Sequence, residues 1–208
     1  MSLPRKSREH QEIVNTCFTE CPSKRTEPTE PHTGRMTQNP PNPQVPSTPA
    51  IASTPLTLAE VEAVARAAHA AQTDKAGRPY AEHLQAVAEG VRARGGDDEQ
   101  IAAAWLHDAV EDDALTERRL EEARLSRRTK DIVLAVTKRA GEAPEAYARR
   151  ILDTPGALLV KEADLAHNAD PARLAALDAP TRTRLTEKYA KMRALLGLQD
   201  LKCRATHS

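Results

Sequence analysis

The chain has 208 residues, room for one domain and a tail, and its thirty basic and thirty acidic residues cancel, which leaves no cationic face to grip a nucleic-acid backbone. No stretch reaches the roughly 20 apolar residues of a membrane-spanning helix, and Cys17, Cys21 and Cys203 are too few for a disulfide framework. Aromatic residues make up 2% of the chain, while helix formers (Ala, Leu, Arg, Glu) dominate and no alternating β-branched pattern occurs, so an all-α domain is expected.

Residues 1–55 hold ten of the fifteen prolines, interspersed with Ser, Thr, Gln and Asn, and are expected to form a disordered tail. Arg5, Lys6 and Arg8 are followed by Glu9, His10, Gln11 and Glu12 where a secretory apolar region would lie, so the cytoplasm is the expected compartment. His10, Cys17, Cys21 and His32 fit no compact zinc spacing. Order is expected from Thr57, where Thr57-Leu58-Ala59-Glu60 has the form of a capping box and opens a helix to about Gln72. A polar loop, Thr73 to Tyr80, precedes a second helix from Ala81 to Arg94, stopped by Gly95-Gly96. Asp97 or Asp98 caps a third helix predicted to end near Asp112 or Asp113. Thr116 caps a fourth, Ser126 a fifth that takes in Lys138, and Pro144 with Gly156 brackets a sixth. The seventh carries Asp164 and Asn168 and closes at Pro171; the eighth runs from Pro180 to Leu196 with Leu185, Tyr189, Met192 and Leu196 inward. The ordered domain is thus placed at 56–198, followed by a C-terminal tail, 199–208.

Chemistry concentrates in Trp105-Leu106-His107-Asp108-Ala109-Val110-Glu111-Asp112-Asp113, which follows a wholly apolar run. Buried imidazoles and carboxylates need partners or a metal. His83 on the second helix, His107-Asp108 on the third and Asp164 on the seventh supply two imidazoles and two carboxylates. Such a set suits a divalent first-row metal (manganese, iron or zinc) with positions left for water and substrate.

These residues also carry a resemblance. Ala68-His69, Gln72, Lys75 to Tyr80, His83, then Leu106 to Asp112, Val136-Thr137-Lys138, Lys161-Glu162-Ala163-Asp164 and His167-Asn168 together resemble the HD-domain phosphohydrolases. More narrowly they resemble the hydrolase domain of RelA/SpoT-type proteins and its small free-standing relatives, over about 57–197. The resemblance implies a compact helical HD fold in which His83, His107, Asp108 and Asp164 bind one Mn2+. Glu111 and Asp112 would orient or deprotonate the attacking water, and the activity would be (p)ppGpp 3′-pyrophosphohydrolysis. Lys75, Arg78, Lys161 and Asn168 are the expected contacts to the small nucleotide substrate, Lys161 alternatively pairing with a site carboxylate. Tyr80 is read as a packing residue, and His69 and His167 as structural. Leu84, Leu165-Ala166 and Thr73-Asp74 depart from the family's usual Pro, Arg-Leu and basic loop residues. They point to the alternative of an HD hydrolase for another phosphate ester; a silent nucleotide-binding protein is the second alternative. No synthetase or regulatory module is expected after the helical domain, and oligomeric state leaves no mark in the sequence.

Overall fold

The computed structural model describes residues 54–198; the expected tails, the His10/Cys17/Cys21/His32 group and Cys203 lie outside them, apart from Thr54 and Pro55. Within the described residues nine helices form and no named strand: α1 (Leu58–Ala68), α2 (Tyr80–Ala93), α3 (Asp98–Leu106), α4 (Glu117–Glu122), α5 (Arg127–Val136), α6 (Pro144–Asp153), α7 (Ala157–Asn168), α8 (Pro171–Ala175) and α9 (Ala179–Leu195). The caps lie where local chemistry sets them. Thr57 and Glu60 exchange the two hydrogen bonds of a capping box, Asp97 and Gln100 do the same before α3, and Thr116 and Ser126 accept from the third residue of α4 and α5.

α3 is the axis of the fold. Ile101 to Leu106 are all buried, and a helix apolar on every side is stable only inside others. It packs against α1, α2, α5 and α7, while α2 and α7 also pack on each other. Ala102, Ala103 and Ala104 let these neighbours approach closely, and Leu84, Val87, Val91, Ile132, Val133 and Val160 fill the space between. A Leu106→Ala change in this core would cost about 2–5 kcal/mol. Gly156 opens α7 at φ 93°, and an added Cβ would lie 3.0 Å from Ile132 Cδ1 and 3.1 Å from an Arg128 guanidinium nitrogen. Gln100 Nε2 donates to the Gly156 carbonyl at 3.2 Å, tying the start of α7 to α3.

Several boundaries differ from expectation, each for a tertiary reason. α1 stops at Ala68, four residues before Gln72, because Gln72 O is needed by Tyr80 N (2.9 Å) and Thr73 bridges to Pro79, folding the loop back on itself. α3 stops at Leu106 and does not carry His107 to Asp112. Ala109 N bonds Leu106 O in a tighter three-residue step, Leu115 N reaches back to Ala109 O, and Asp113 takes the left-handed conformation (φ 54°). The His-Asp segment is therefore a turn, with one α-like bond, Asp112 N to Asp108 O, inside it. α5 ends at Val136, before Lys138. Pro171 does not merely close α7: with Asp170 accepting from Ala172 N and Arg173 N it starts the short α8, which the sequence pattern missed.

Candidate active site

Three elements deliver the polar groups to one place. α2 begins at Tyr80, so His83 sits one turn inside it, 3% exposed beside Leu84. His107 and Asp108 leave the end of α3. Asp164 lies buried in α7, and all four side chains named from the sequence converge. His83 Nε2 is 3.5 Å from Asp108 Oδ2 and 3.4 Å from Asp164 Oδ1; His107 Nε2 is 3.0 Å and 3.7 Å from the same two oxygens. One ligand atom each from His83, His107 and Asp164 lies within 4.8 Å of the others.

The donor set and its spacing fit a divalent cation. Ligand atoms about 2.1 Å from one ion stand roughly 3.0–3.5 Å apart, close to the 3.0–3.7 Å measured between these nitrogens and oxygens. His107 Nδ1 donates to Ala104 O at 2.7 Å, which fixes a hydrogen on that nitrogen and leaves Nε2 turned to Asp108 and Asp164. That buried Nε2 makes no well-aligned hydrogen bond among the described residues although Asp108 Oδ2 is 3.0 Å away. For His83 to present Nε2 in the same way, its Nδ1 must carry the hydrogen and donate to His167 Nδ1, 2.7 Å away. His167 suits an acceptor's part: burial, then Arg173 and His83, push its pKa down to about 4, so its ring is neutral near pH 7.

Charge points the same way. Burial works against ionising His107, yet the Asp108 and Asp164 carboxylates outweigh it and lift the imidazole well above its ordinary pKa. Burial would raise Asp164, but Lys161 and the two histidines hold it well below the carboxylate range; Asp108 is held low by His107 and His83 against the same burial. The same two carboxylates that draw a proton to His107 would attract a cation in its place.

Other side chains brace these ligands. Tyr80 Oη donates to Asp108 Oδ2 at 2.5 Å, and burial followed by the Asp108 charge pushes its pKa up, which keeps it a donor. Lys161 Nζ is 2.7 Å from Asp164 Oδ2 and Asn168 Nδ2 donates to Oδ1 at 2.5 Å, so both expected substrate contacts are spent on Asp164, although both also line the cleft. Glu111 accepts from Lys138 N at 3.0 Å and Asp112 from Gln72 Nε2 at 2.6 Å, so the two carboxylates diverge from the turn while both face the cleft. Lys75 lines the cleft; Arg78 is not among its lining residues and has the Asp74 carboxylate 3.9 Å from its Nε. The sequence reading missed Tyr80 and His167. Both signals were present: Tyr80 lies three residues before His83 and His167 three after Asp164, the spacing that shares a helix face.

The cleft beside the cluster measures about 400 Å³ and is lined by Lys75, Lys138, Lys161 and Lys188 together with Leu174, Leu177, Leu185, Tyr189 and Met192. Among the described residues Lys75, Lys138 and Lys188 form no ion pair. No helix of the described residues is long and apolar enough to cross a membrane.

A family model described as HD domain matches residues 62–205. The probable guanosine-3′,5′-bis(diphosphate) 3′-pyrophosphohydrolase of Synechocystis sp. (strain ATCC 27184 / PCC 6803 / Kazusa) is 44% identical over 70 residues, 34% of this chain and 9% of that protein. The guanosine-3′,5′-bis(diphosphate) 3′-pyrophosphohydrolase of Haemophilus influenzae (strain ATCC 51907 / DSM 11121 / KW20 / Rd) is 30% identical over 154 residues, 67% of this chain and 22% of that protein. The chain thus spans less than a quarter of the length of either relative.

Proposed function

Because the chain belongs to the HD domain family, we propose that it is a metal-dependent phosphohydrolase that removes pyrophosphate from the 3′ position of a guanosine 3′-diphosphate nucleotide. His83, His107, Asp108 and Asp164 hold the cation, which we assign as Mn2+. The observation that carries the reading is the meeting, in one cleft, of this ligand cluster, two further carboxylates and a wall of lysines. Burial and the neighbouring Lys161, Lys138 and Lys75 push the pKa of Lys188 down, a mark of cations crowded together, and a polyphosphate relieves that crowding. The apolar remainder, Leu174, Leu177, Leu185 and Met192 with Tyr189, suits a nucleoside better than inorganic phosphate.

When bound, the cation polarises a phosphoryl oxygen and makes water acidic enough to ionise near neutral pH. The chain's own residues do the rest. Glu111 and Asp112, on the cleft wall, accept a proton from the attacking water. The water oxygen forms a bond to the phosphorus carried by the 3′ oxygen, that phosphorus–oxygen bond breaks, and the 3′ oxygen leaves with a proton. Lys75, Lys138 and Lys188 hold the phosphates, and Lys161 and Asn168 keep Asp164 aimed.

One observation favours the second reading, hydrolysis of another nucleotide or phosphate ester. Asp74 lines the cleft with its carboxylate 3.0 Å from an Arg173 nitrogen, so these two charges cancel at the rim. A panel of nucleotides with Mn2+ decides between them: guanosine-3′,5′-bis(diphosphate) is expected to give GDP and pyrophosphate, and turnover of a different member of the panel alone would favour the second reading.

A further inference from the structure

His69 is buried, 1% exposed, at the end of α1, and its ring takes no part in the ligand cluster. Its Nδ1 lies 2.7 Å from Gln72 Oε1, and Gln72 Nε2 donates to Asp112 Oδ2 at 2.6 Å, joining segments 40 residues apart. The chemistry fixes the direction of the chain. An ionised carboxylate only accepts, so Gln72 turns its NH2 to Asp112 and its carbonyl oxygen to His69. That oxygen also only accepts, so the His69 hydrogen is on Nδ1. Nε2, buried, then has no partner among the described residues. The same ring stacks on Tyr80 at 5.3 Å between centroids and 23° between planes, and Tyr80 donates to Asp108.

We propose that His69 and Gln72 are positioning residues: they hold one oxygen of Asp112 so that the other is presented to the reacting water. The role rests on the phosphohydrolase reading above. Its motive is local. Asp112 sits on a turn that has left the helix, with the left-handed Asp113 next to it, so no regular ladder orients its exposed carboxylate. Gln72 makes the bond that does so, and its own backbone is pinned, N to His69 O at 2.9 Å and O from Tyr80 N at 2.9 Å. Among the described residues only Oδ2 of Asp112 is engaged by a side chain, which leaves Oδ1 for the water.

The test compares wild type, Gln72→Met, Asp112→Asn and the double variant, with Mn2+ and guanosine-3′,5′-bis(diphosphate). Gln72→Met should lower kcat about 10- to 100-fold with KM within about twofold, because a displaced catalytic group slows the chemistry without weakening phosphate binding. In the Asp112→Asn background the same change should add nothing further. His69→Asn, whose side-chain amide can stand near Nδ1, should retain more activity than His69→Phe. Rates for Gln72→Met within twofold of wild type, or effects that multiply in the double variant, would overturn the role while leaving the hydrolase reading intact. A wild type that hydrolyses no nucleotide removes that reading and this role with it. Independently of turnover, 15N NMR of the metal-free protein should find His69 with its hydrogen on Nδ1, the less common tautomer in water; a hydrogen on Nε2 would contradict the chain of bonds.

Discussion

Lys161→Met isolates the electrostatic balance of the cluster. The ammonium is 2.7 Å from Asp164 Oδ2, with side-chain exposures of 16% and 5%, and it also lies 5.5 Å from the Tyr147 ring centre. Removing one partner of a buried pair costs about 3–5 kcal/mol, because the other charge stays buried and uncompensated. Lys161 keeps some contact with water, so we take the low end, about 3 kcal/mol at pH 7. For a domain of this size that is a fall in Tm of about 6–12 °C. The pH dependence follows from Asp164. Its folded pKa is depressed, so the pair contributes stability that is fully present above the ordinary aspartate range and is lost as pH falls through the folded value. The penalty should therefore be largest at neutral pH and shrink below about pH 4. Mn2+ replaces the missing positive charge, so it should raise the Tm of Lys161→Met more than that of wild type. Urea denaturation in chelator at pH 7 and at about pH 3, below the ordinary aspartate value, with thermal melts with and without Mn2+, measures all three. A loss under about 1 kcal/mol at pH 7 would mean that the Lys161–Asp164 pair behaves as a solvated surface pair.

Other perturbations probe separate parts of the account. Tyr80→Phe removes the donor to Asp108 and should weaken Mn2+ binding about 10-fold, measured by calorimetric titration, with little change in α2 helicity by circular dichroism. Gly156→Ala puts a Cβ into a left-handed position already crowded by Ile132, and should cost about 1–3 kcal/mol in chemical denaturation. Arg150→Met strips a guanidinium that donates to the carbonyls of Leu134, Ala135 and Thr137 and pairs with Glu142 at 2.6 Å. It should cost about 2–4 kcal/mol by the same assay and loosen the turn that carries Lys138.

Much of the fold could be read from the chain because caps and helix faces are local. Thr57, Thr116, Ser126 and Pro144 each mark a start that depends on residues within one turn, and the structure places helices there. Ends set by distant partners could not be read this way. Nothing between Ala102 and Asp113 forecasts that the helix stops at Leu106, since the cause is the turn that returns Leu115 to Ala109 and leaves Asp113 left-handed. α8 is five residues long, too short for periodicity to register. In the site, His83, His107, Asp108 and Asp164 could be picked out as polar groups amid apolar neighbours, and they lie together. Their supports were less legible because a Tyr or His among apolar residues looks like packing until its partner is known: Tyr80 is paired with Asp108 across 28 positions and His167 with His83 across 84. In the loop before α2, Lys75 lines the cleft and Arg78 does not. A basic residue in a glycine-containing loop suggests phosphate; here Asp74 accepts from Ala76 N and Arg78 N, a local turn whose outcome for each side chain depends on the elements packed around it.

Under the proposed function, hydrolysis at a phosphate requires one divalent cation held by His83, His107, Asp108 and Asp164. Titrating chelator-treated protein with Mn2+ while following both bound metal and pyrophosphate release from guanosine-3′,5′-bis(diphosphate) tests it directly. Hydrolysis should rise in proportion to occupancy and level off at about one ion per chain, and both signals should be lost in Asp108→Ala. Full hydrolysis in chelator, or undiminished turnover by Asp108→Ala, would rule out a metal requirement at this site.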